Sequence, residues 1–327
     1  MSATITVPKG VELFHLPSPF RLHSGESLHG AALAFERAYS GSAPSYGPGA
    51  APVVVVLGGI SAHRRVAGNG GWWPEIAGEG LAIDTSRFQV LSVDWLGAAG
   101  NSTAPAEGES FAAIDAADQA RALWLLCREL RIDRLHAVIG CSYGGMVAQH
   151  LAALAPARIE RLVLFATAHR AHPQASAWRR VQRQFVEFGR NAGFARESLA
   201  LARQLAMTIY RSPVELHERF EGGLHDAELG GWLDARGADF VDRWHAESFL
   251  CLNRSIDAHR IDPAQITSPT FVCAFDTDQL VPTTQIRDFA LQLPDLRSHR
   301  EVRSRYGHDA FLKETKAVTA FVEEALR

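Results

Sequence analysis

The sequence predicts an α/β fold: a doubly wound, mostly parallel sheet carrying an inserted helical lid. Three observations predict it. Short β-branched apolar runs, PVVVVL at 52–57 and RLVLF at 161–165, read as strands covered on both faces. Helical patterns separate such runs, and strand, helix, strand, helix, strand is the order of a doubly wound sheet. From about 168 to 262 the strand-like runs vanish, and long helical stretches rich in Arg, Ala and Leu replace them.

Taken in order, residues 11–37 alternate apolar and polar side chains, an antiparallel entry to the sheet. Residues 39–50, rich in Gly, Ser and Pro, read as a surface loop. The strand at 52–57 ends in Gly58-Gly59-Ile60-Ser61, where paired glycines let the main chain approach a ligand closely. Trp72 and Trp73 either pack or wall a pocket. A second buried strand, 88–93, closes in Asp94-Trp95-Leu96-Gly97. The loop at 101–106 lies at the same sheet edge as the Gly58 loop, because both follow carboxyl ends of strands, where parallel sheets bind ligands.

Residues 110–130 form an amphipathic helix with Ser110 as its N-cap. Helices at 178–188 and 197–210 belong to the lid. Strands resume at 270–275, followed by a helix at about 284–293, a short strand near 298–302 and a C-terminal helix from Ala310. The domain reading is a core of 1–167 and 263–327 with a lid at 168–262. A chain of 327 residues is long enough for one large domain with such an insertion.

A net charge of −3 gives no general attraction to nucleic acid or to an anionic membrane surface. No apolar run approaches the roughly 20 residues a bilayer span needs. Cys127, Cys141, Cys251 and Cys273 are scattered, suggesting neither a disulfide framework nor a metal site. The N-terminal stretch lacks the basic start and continuous apolar core of a signal peptide, so a cytoplasmic protein is expected.

The chemistry centres on 135–156, LHAVIGCSYGGMVAQHLAALAP. An apolar run meets Gly140-Cys141-Ser142-Tyr143-Gly144, and a helical pattern follows until Pro156. A G-x-S-x-G turn between strand and helix is a nucleophile elbow, with its serine oxygen standing clear of the sheet. The helix behind it offers backbone N–H groups and a positive dipole end to a developing oxyanion. A nucleophilic serine needs a base, and the base an orienting acid, in the chain order serine, acid, histidine. The acid loop after 270–275 holds Asp276 and Asp278, with Asp278 preferred because a short apolar stretch and a proline follow it. Among 14 histidines, only His308 lies in a loop before the last helix.

These motifs resemble the homoserine O-acetyltransferase family of the α/β-hydrolase superfamily, which also contains homoserine and serine O-succinyltransferases. The resemblance runs from about Leu28 to the end. It rests on GWW (71–73), AIDTSRFQVLSVDWLG (82–97), SYGGM (142–146), TIYRSP (208–213), FVDRWHAESFL (240–250), DTDQLVP (276–282) and GHDAFLKE (307–314). It implies an α/β-hydrolase fold and acyl transfer from acyl-CoA to the hydroxyl of L-homoserine, in methionine biosynthesis, by way of Ser142, His308 and Asp278. Backbone N–H groups of Ile60 and Tyr143 would hold the oxyanion. Arg211 would bind the acceptor carboxylate and Asp309 its ammonium. No permanently bound cofactor is implied; acyl-CoA is a co-substrate, and a homodimer is expected.

The sequence departs from the common acetyltransferase pattern at the Gly58 loop and at Tyr143, both expected beside the acyl group. Arg64 and Arg65 either pair with the free carboxylate of a succinyl group, which favours succinyl-CoA slightly, or form a solvated basic turn. Arg179, Arg180 and Arg183 are candidates for the phosphates of coenzyme A. L-serine O-acyltransfer, and a serine esterase or hydrolase with the same residues, stay open as alternatives.

Overall fold

The computed structural model describes residues 10–41, 50–220 and 226–327. Most of the 39–50 loop and the first nine residues lie outside the described residues. Eight strands build one sheet: β1 (Glu12–His15), β2 (Ala32–Ala38), β3 (Val53–Leu57), β4 (Gln89–Val93), β5 (Ala137–Cys141), β6 (Leu162–Phe165), β7 (Thr270–Phe275) and β8 (Leu296–Val302). Their order across the sheet is β1-β2-β4-β3-β5-β6-β7-β8. The β1–β2 and β2–β4 pairs are antiparallel, and every later pair is parallel. This is the doubly wound, mostly parallel sheet that the sequence predicts.

The continuous apolar run in β3 is explained by burial on both faces. Val55 and Leu57 pack with Leu123 and Leu126, whereas Val54 and Val56 pack with Phe165, Phe321 and Val322 on the opposite face. Successive strand residues point to opposite faces, so each layer recruits every second side chain.

Helix α1 (Ala116–Glu129) starts later than the sequence suggests. Asp115, not Ser110, is the N-cap: its side chain accepts the Asp118 N–H, and the Asp118 carboxylate accepts the Asp115 N–H. This reciprocal box satisfies two donors that a helix start otherwise leaves unpaired. Helix α2 (Tyr143–Leu154) follows β5 directly.

Among the described residues between β6 and β7 the α-helices are α3 (Pro173–Asn191), α4 (Ala195–Tyr210), α5 (Pro213–Phe220), α6 (Asp226–Val241) and α7 (Ala246–Ala258), with one isolated bridge pairing Arg170 and Arg260. Helix α8 (Thr283–Ala290) follows β7. The expected single C-terminal helix is broken at Glu314 into α9 (Ala310–Lys313) and α10 (Thr315–Leu326). Among the described residues, no helix is long and apolar enough to cross a membrane.

Candidate active site

Strand register decides where the site forms. Leu57 of β3 pairs with Gly140 of β5, and Phe165 of β6 with Cys141, so the carboxyl ends of three strands finish side by side. The turn to α2 begins one residue later, at Ser142. Its φ is 53°, a left-handed conformation uncommon for any residue but glycine. Gly144 permits the tight turn: a Cβ there would lie 2.2 Å from the Leu57 carbonyl oxygen, and its N–H donates to the Gly58 oxygen at 2.9 Å.

His308 comes from the turn between β8 and α9. Its Nε2 accepts the Ser142 hydroxyl at 2.7 Å, and its Nδ1–H donates to Asp278 Oδ2 at 2.7 Å. The other oxygen of Asp278 accepts the N–H groups of Leu280 at 2.8 Å and Val281 at 3.1 Å, which hold the carboxylate in one orientation. Asp278 and His308 are 4% and 5% exposed. Asp276 does something else: it accepts the Ser304 N–H at 2.8 Å and ties the end of β7 to the loop after β8. Burial alone would lower the pKa of His308, but the charge and hydrogen bond of Asp278, with the charge of Asp309, outweigh it and raise the pKa above its ordinary value.

Among the described residues, the backbone N–H groups of Ile60 and Tyr143 donate to no protein acceptor. The Gly59 carbonyl accepts Trp95 Nε1–H at 3.1 Å, and the trans peptide therefore points the Ile60 N–H the opposite way. The Tyr143 side chain, expected beside the acyl group, does not line the cavity into which Ser142 opens. Its ring is buried edge-on to Trp95 with centroids 5.2 Å apart, and its hydroxyl pairs with Ser255 Oγ at 2.7 Å.

Ser142 and His308 open into a cavity of about 270 Å³. Ile60, Trp72 and Met146 wall it from the core, and Trp178, Arg203, Tyr210 and Phe240 roof it from the lid. The two adjacent tryptophans divide the work. Trp73 is buried and donates to the Phe311 carbonyl at 3.1 Å, while Trp72, stacked on it, faces the cavity.

The remaining expected residues fall in three groups. Arg211 and Asp309 come together, with Nη2 to Oδ2 at 3.3 Å, while Arg211 Nη1 also contacts both oxygens of Glu215 at 2.9 and 3.2 Å. They share a second cavity with Trp72 that adjoins the first, and Asp309 lines both. Arg64 and Arg65 do not line the main cavity. Arg64 donates to the buried Asp94 through its backbone and its guanidinium, each at 2.7 Å, and exposed Arg65 sits 3.5 Å from Glu36. A buried carboxylate demands a counter-charge, which is why Arg64 is committed there. In the lid, Arg179 and Arg183 are both bound to Asp257, at 2.7 and 2.6 Å, and Arg180 is exposed away from the cavity.

Sequence reasoning missed the lid side of the cavity. Arg203, Ala206 and Tyr210 lie three and seven residues apart on one face of α4. That spacing marks a shared face, but nothing in it says what the face looks onto. Among the described residues, no group of three His, Cys, Asp or Glu side chains has the arrangement of a metal site.

A strained serine at a strand-to-helix turn, hydrogen-bonded to a histidine and through it to an aspartate, is the arrangement of a nucleophile-elbow protein. A family model described as the alpha/beta hydrolase fold matches residues 52–315. The chain is 43% identical over 288 residues, covering 85% of itself and 76% of the relative, to homoserine O-succinyltransferase of Xanthomonas campestris. It is 33% identical over 291 residues, 82% of itself and 75% of the relative, to homoserine O-acetyltransferase of Thermus thermophilus. The crystal structure of homoserine O-acetyltransferase from Bacillus anthracis superposes with a TM-score of 0.86 at 17% identity, over 97% of both chains. The chain belongs to the homoserine O-acetyltransferase and O-succinyltransferase family within the alpha/beta hydrolase fold.

Proposed function

We propose that this protein moves an acyl group, succinyl in preference to acetyl, from acyl-CoA to the side-chain hydroxyl of L-homoserine, and so serves methionine biosynthesis. The observation that carries the chemistry is the continuous hydrogen-bonded chain from Ser142 Oγ through His308 to Asp278. The 43% identity to a homoserine O-succinyltransferase supports the acceptor and the donor.

In the first step Ser142 Oγ attacks the thioester carbonyl carbon, and His308 Nε2 takes its proton. The tetrahedral oxyanion receives the N–H groups of Ile60 and Tyr143. On collapse the C–S bond breaks, and the sulfur of coenzyme A leaves with the proton from His308. In the second step the homoserine hydroxyl gives its proton to His308 and attacks the seryl ester. Collapse returns the proton to Ser142 and releases the O-acyl amino acid. Asp278 keeps the imidazole in the tautomer that both steps need.

The Arg211–Asp309 pair is the electrostatic complement of an amino-acid zwitterion. Homoserine entering between them places its carboxylate on the guanidinium and its ammonium on Asp309. Exposed Arg170, at the cavity rim and directly opposite Arg260 on an isolated bridge, takes over from Arg179 and Arg183 as the positive charge suited to coenzyme A phosphates. Like charges side by side are relieved by a bound anion. The exposed apolar side chains Val181, Phe185 and Phe188 on α3 support a homodimer formed through the lid. Four free cysteines support a reducing, cytoplasmic setting.

The test is a four-way assay of succinyl-CoA and acetyl-CoA against L-homoserine and L-serine, following thiol release with and without acceptor. Succinyl-CoA with homoserine is expected to be fastest. Thiol release at the same rate without an acceptor would identify a hydrolase instead, and faster release with L-serine would move the acceptor.

A further inference from the structure

The arginines that line the main cavity are not alike. Arg170 is exposed to solvent, and Arg179 is neutralised by Asp257. Arg203, on the cavity face of α4, has neither full exposure nor a counter-ion. Its guanidinium carbon lies 5.0 Å from the centre of the Phe240 ring and 5.5 Å from that of Tyr210. Among the described residues, no carboxylate stands within ion-pair distance of it and no acceptor takes its N–H groups. Asp309, the carboxylate whose charge it feels, is held by Arg211, and the neighbouring Arg243 and Arg236 add repulsion.

Two ring faces offset part of the cost of withdrawing that charge from water. They supply no acceptor for the five N–H groups of a guanidinium, which leaves this half-buried cation able to pair with an anion that enters the cavity. The cavity is where one would arrive. Tyr210, in contact with Arg203, has its ring 6.0 Å from that of His308, so the guanidinium stands one aromatic ring away from the base.

We infer that Arg203 is the receptor for a substrate carboxylate, an inference that rests on the acyl-transfer reading above. Two substrate carboxylates are candidates. In a succinyl group the distal carboxylate carbon lies three carbon–carbon bonds from the reacting carbonyl carbon. In homoserine the carboxylate carbon lies three carbon–carbon bonds from the carbon bearing the reacting hydroxyl. A planar fork pairs with either in two parallel hydrogen bonds.

Kinetics of wild type, Arg203→Gln and Arg203→Lys, with succinyl-CoA and acetyl-CoA at varied homoserine, distinguish the sources. If the donor carboxylate binds, kcat/KM of Arg203→Gln for succinyl-CoA falls by about 30- to 100-fold, the scale of a charged hydrogen-bond pair, while that for acetyl-CoA changes by less than about threefold. If the acceptor carboxylate binds here, in place of its assignment to Arg211 above, KM for homoserine rises by a similar factor with both donors and Arg211 is released from that role. Arg203→Lys, which keeps the charge and the stem but not the fork, recovers part of either loss and serves where the glutamine variant does not fold. Equal losses for both donors with KM for homoserine unmoved would mean packing alone and overturn the inference. Calorimetric binding of succinate and of homoserine, which needs no turnover, separates this failure from that of the proposed function. If neither ligand binds more weakly to the variants than to wild type, Arg203 holds no carboxylate, whatever wild type turns over.

Discussion

A Cβ placed on Gly307 would stand 2.5 Å from the carbonyl oxygen of Tyr210, the last residue of α4. The loop that carries His308 is thus fitted against the lid backbone, and Gly307 itself has φ +61°. Both obstacles are main-chain ones, and Gly307→Ala is expected to cost about 2 to 4 kcal/mol and to lower kcat/KM by moving the adjacent imidazole. Chemical denaturation and steady-state kinetics check it. A variant as stable and as active as wild type would show that this contact does not matter.

In the proposed mechanism only neutral His308 takes the serine proton. Because Asp278 and Asp309 hold its pKa above 6.5 against burial, kcat/KM is expected to decline as pH falls through a midpoint above 6.5. Asp278→Asn removes the main raising influence and leaves the burial, so the midpoint moves down while kcat drops by about 10³- to 10⁴-fold. A pH–rate profile of each protein reads this directly; an unmoved midpoint would contradict the assignment.

Arg64→Ala leaves the Asp94 carboxylate, 2% exposed, without its guanidinium partner. A loss of about 3 kcal/mol in unfolding free energy is expected, the usual scale for breaking a buried pair from one side. The ratio of succinyl-CoA to acetyl-CoA turnover is expected to stay as in wild type. Altered donor preference in this variant would return Arg64 to the acyl site.

His150 and His259 form a second, separate pH-sensitive feature. His259 Nε2–H donates to the Ala168 carbonyl at 3.0 Å, leaving Nδ1 to accept from His150 Nε2 at 3.2 Å. Burial lowers the pKa of His259 to about 3 and that of His150 to about 4. Below 6.5 the unfolded chain therefore binds protons that the folded one refuses. Their contribution to stability is complete above 6.5 and is lost as pH falls towards 4. Urea melts across this range should show the decline, and His259→Gln should make it shallower; an equal slope in both proteins would place the sensitivity elsewhere.

Much of the arrangement was legible along the chain because it depends on neighbours in sequence. A β-branched run covered on both faces, an elbow with glycines either side of a serine, and loops that follow strand ends are each local statements, and sheet topology then carries the loops to one rim. The start of α1 was legible too, in the spacing of Asp115 and Asp118, although Ser110 drew attention first. The two aspartates after β7 were harder. Their residue type is the same, and only the return of the chain from β8 separates Asp278, which meets an imidazole, from Asp276, which meets a backbone N–H.

Charge partnership is what the linear order left undetermined. Arg64, Arg179, Arg183 and Arg203 look alike as letters in loops and helices. Asp94 is 30 positions from Arg64, and Asp257 is 78 from Arg179 and 74 from Arg183, so three of these cations are consumed by partners that no local pattern reveals. Arg203 is left over for the opposite reason: among the described residues, folding brings it two rings and no paired carboxylate. Hydrophobic periodicity and turn chemistry act between residues close in the chain, and these the amino-acid order settled. Coulomb attraction and desolvation depend on distance through space and on access to water, so which cation stands unpaired beside the cavity was decided only when the lid packed over the sheet.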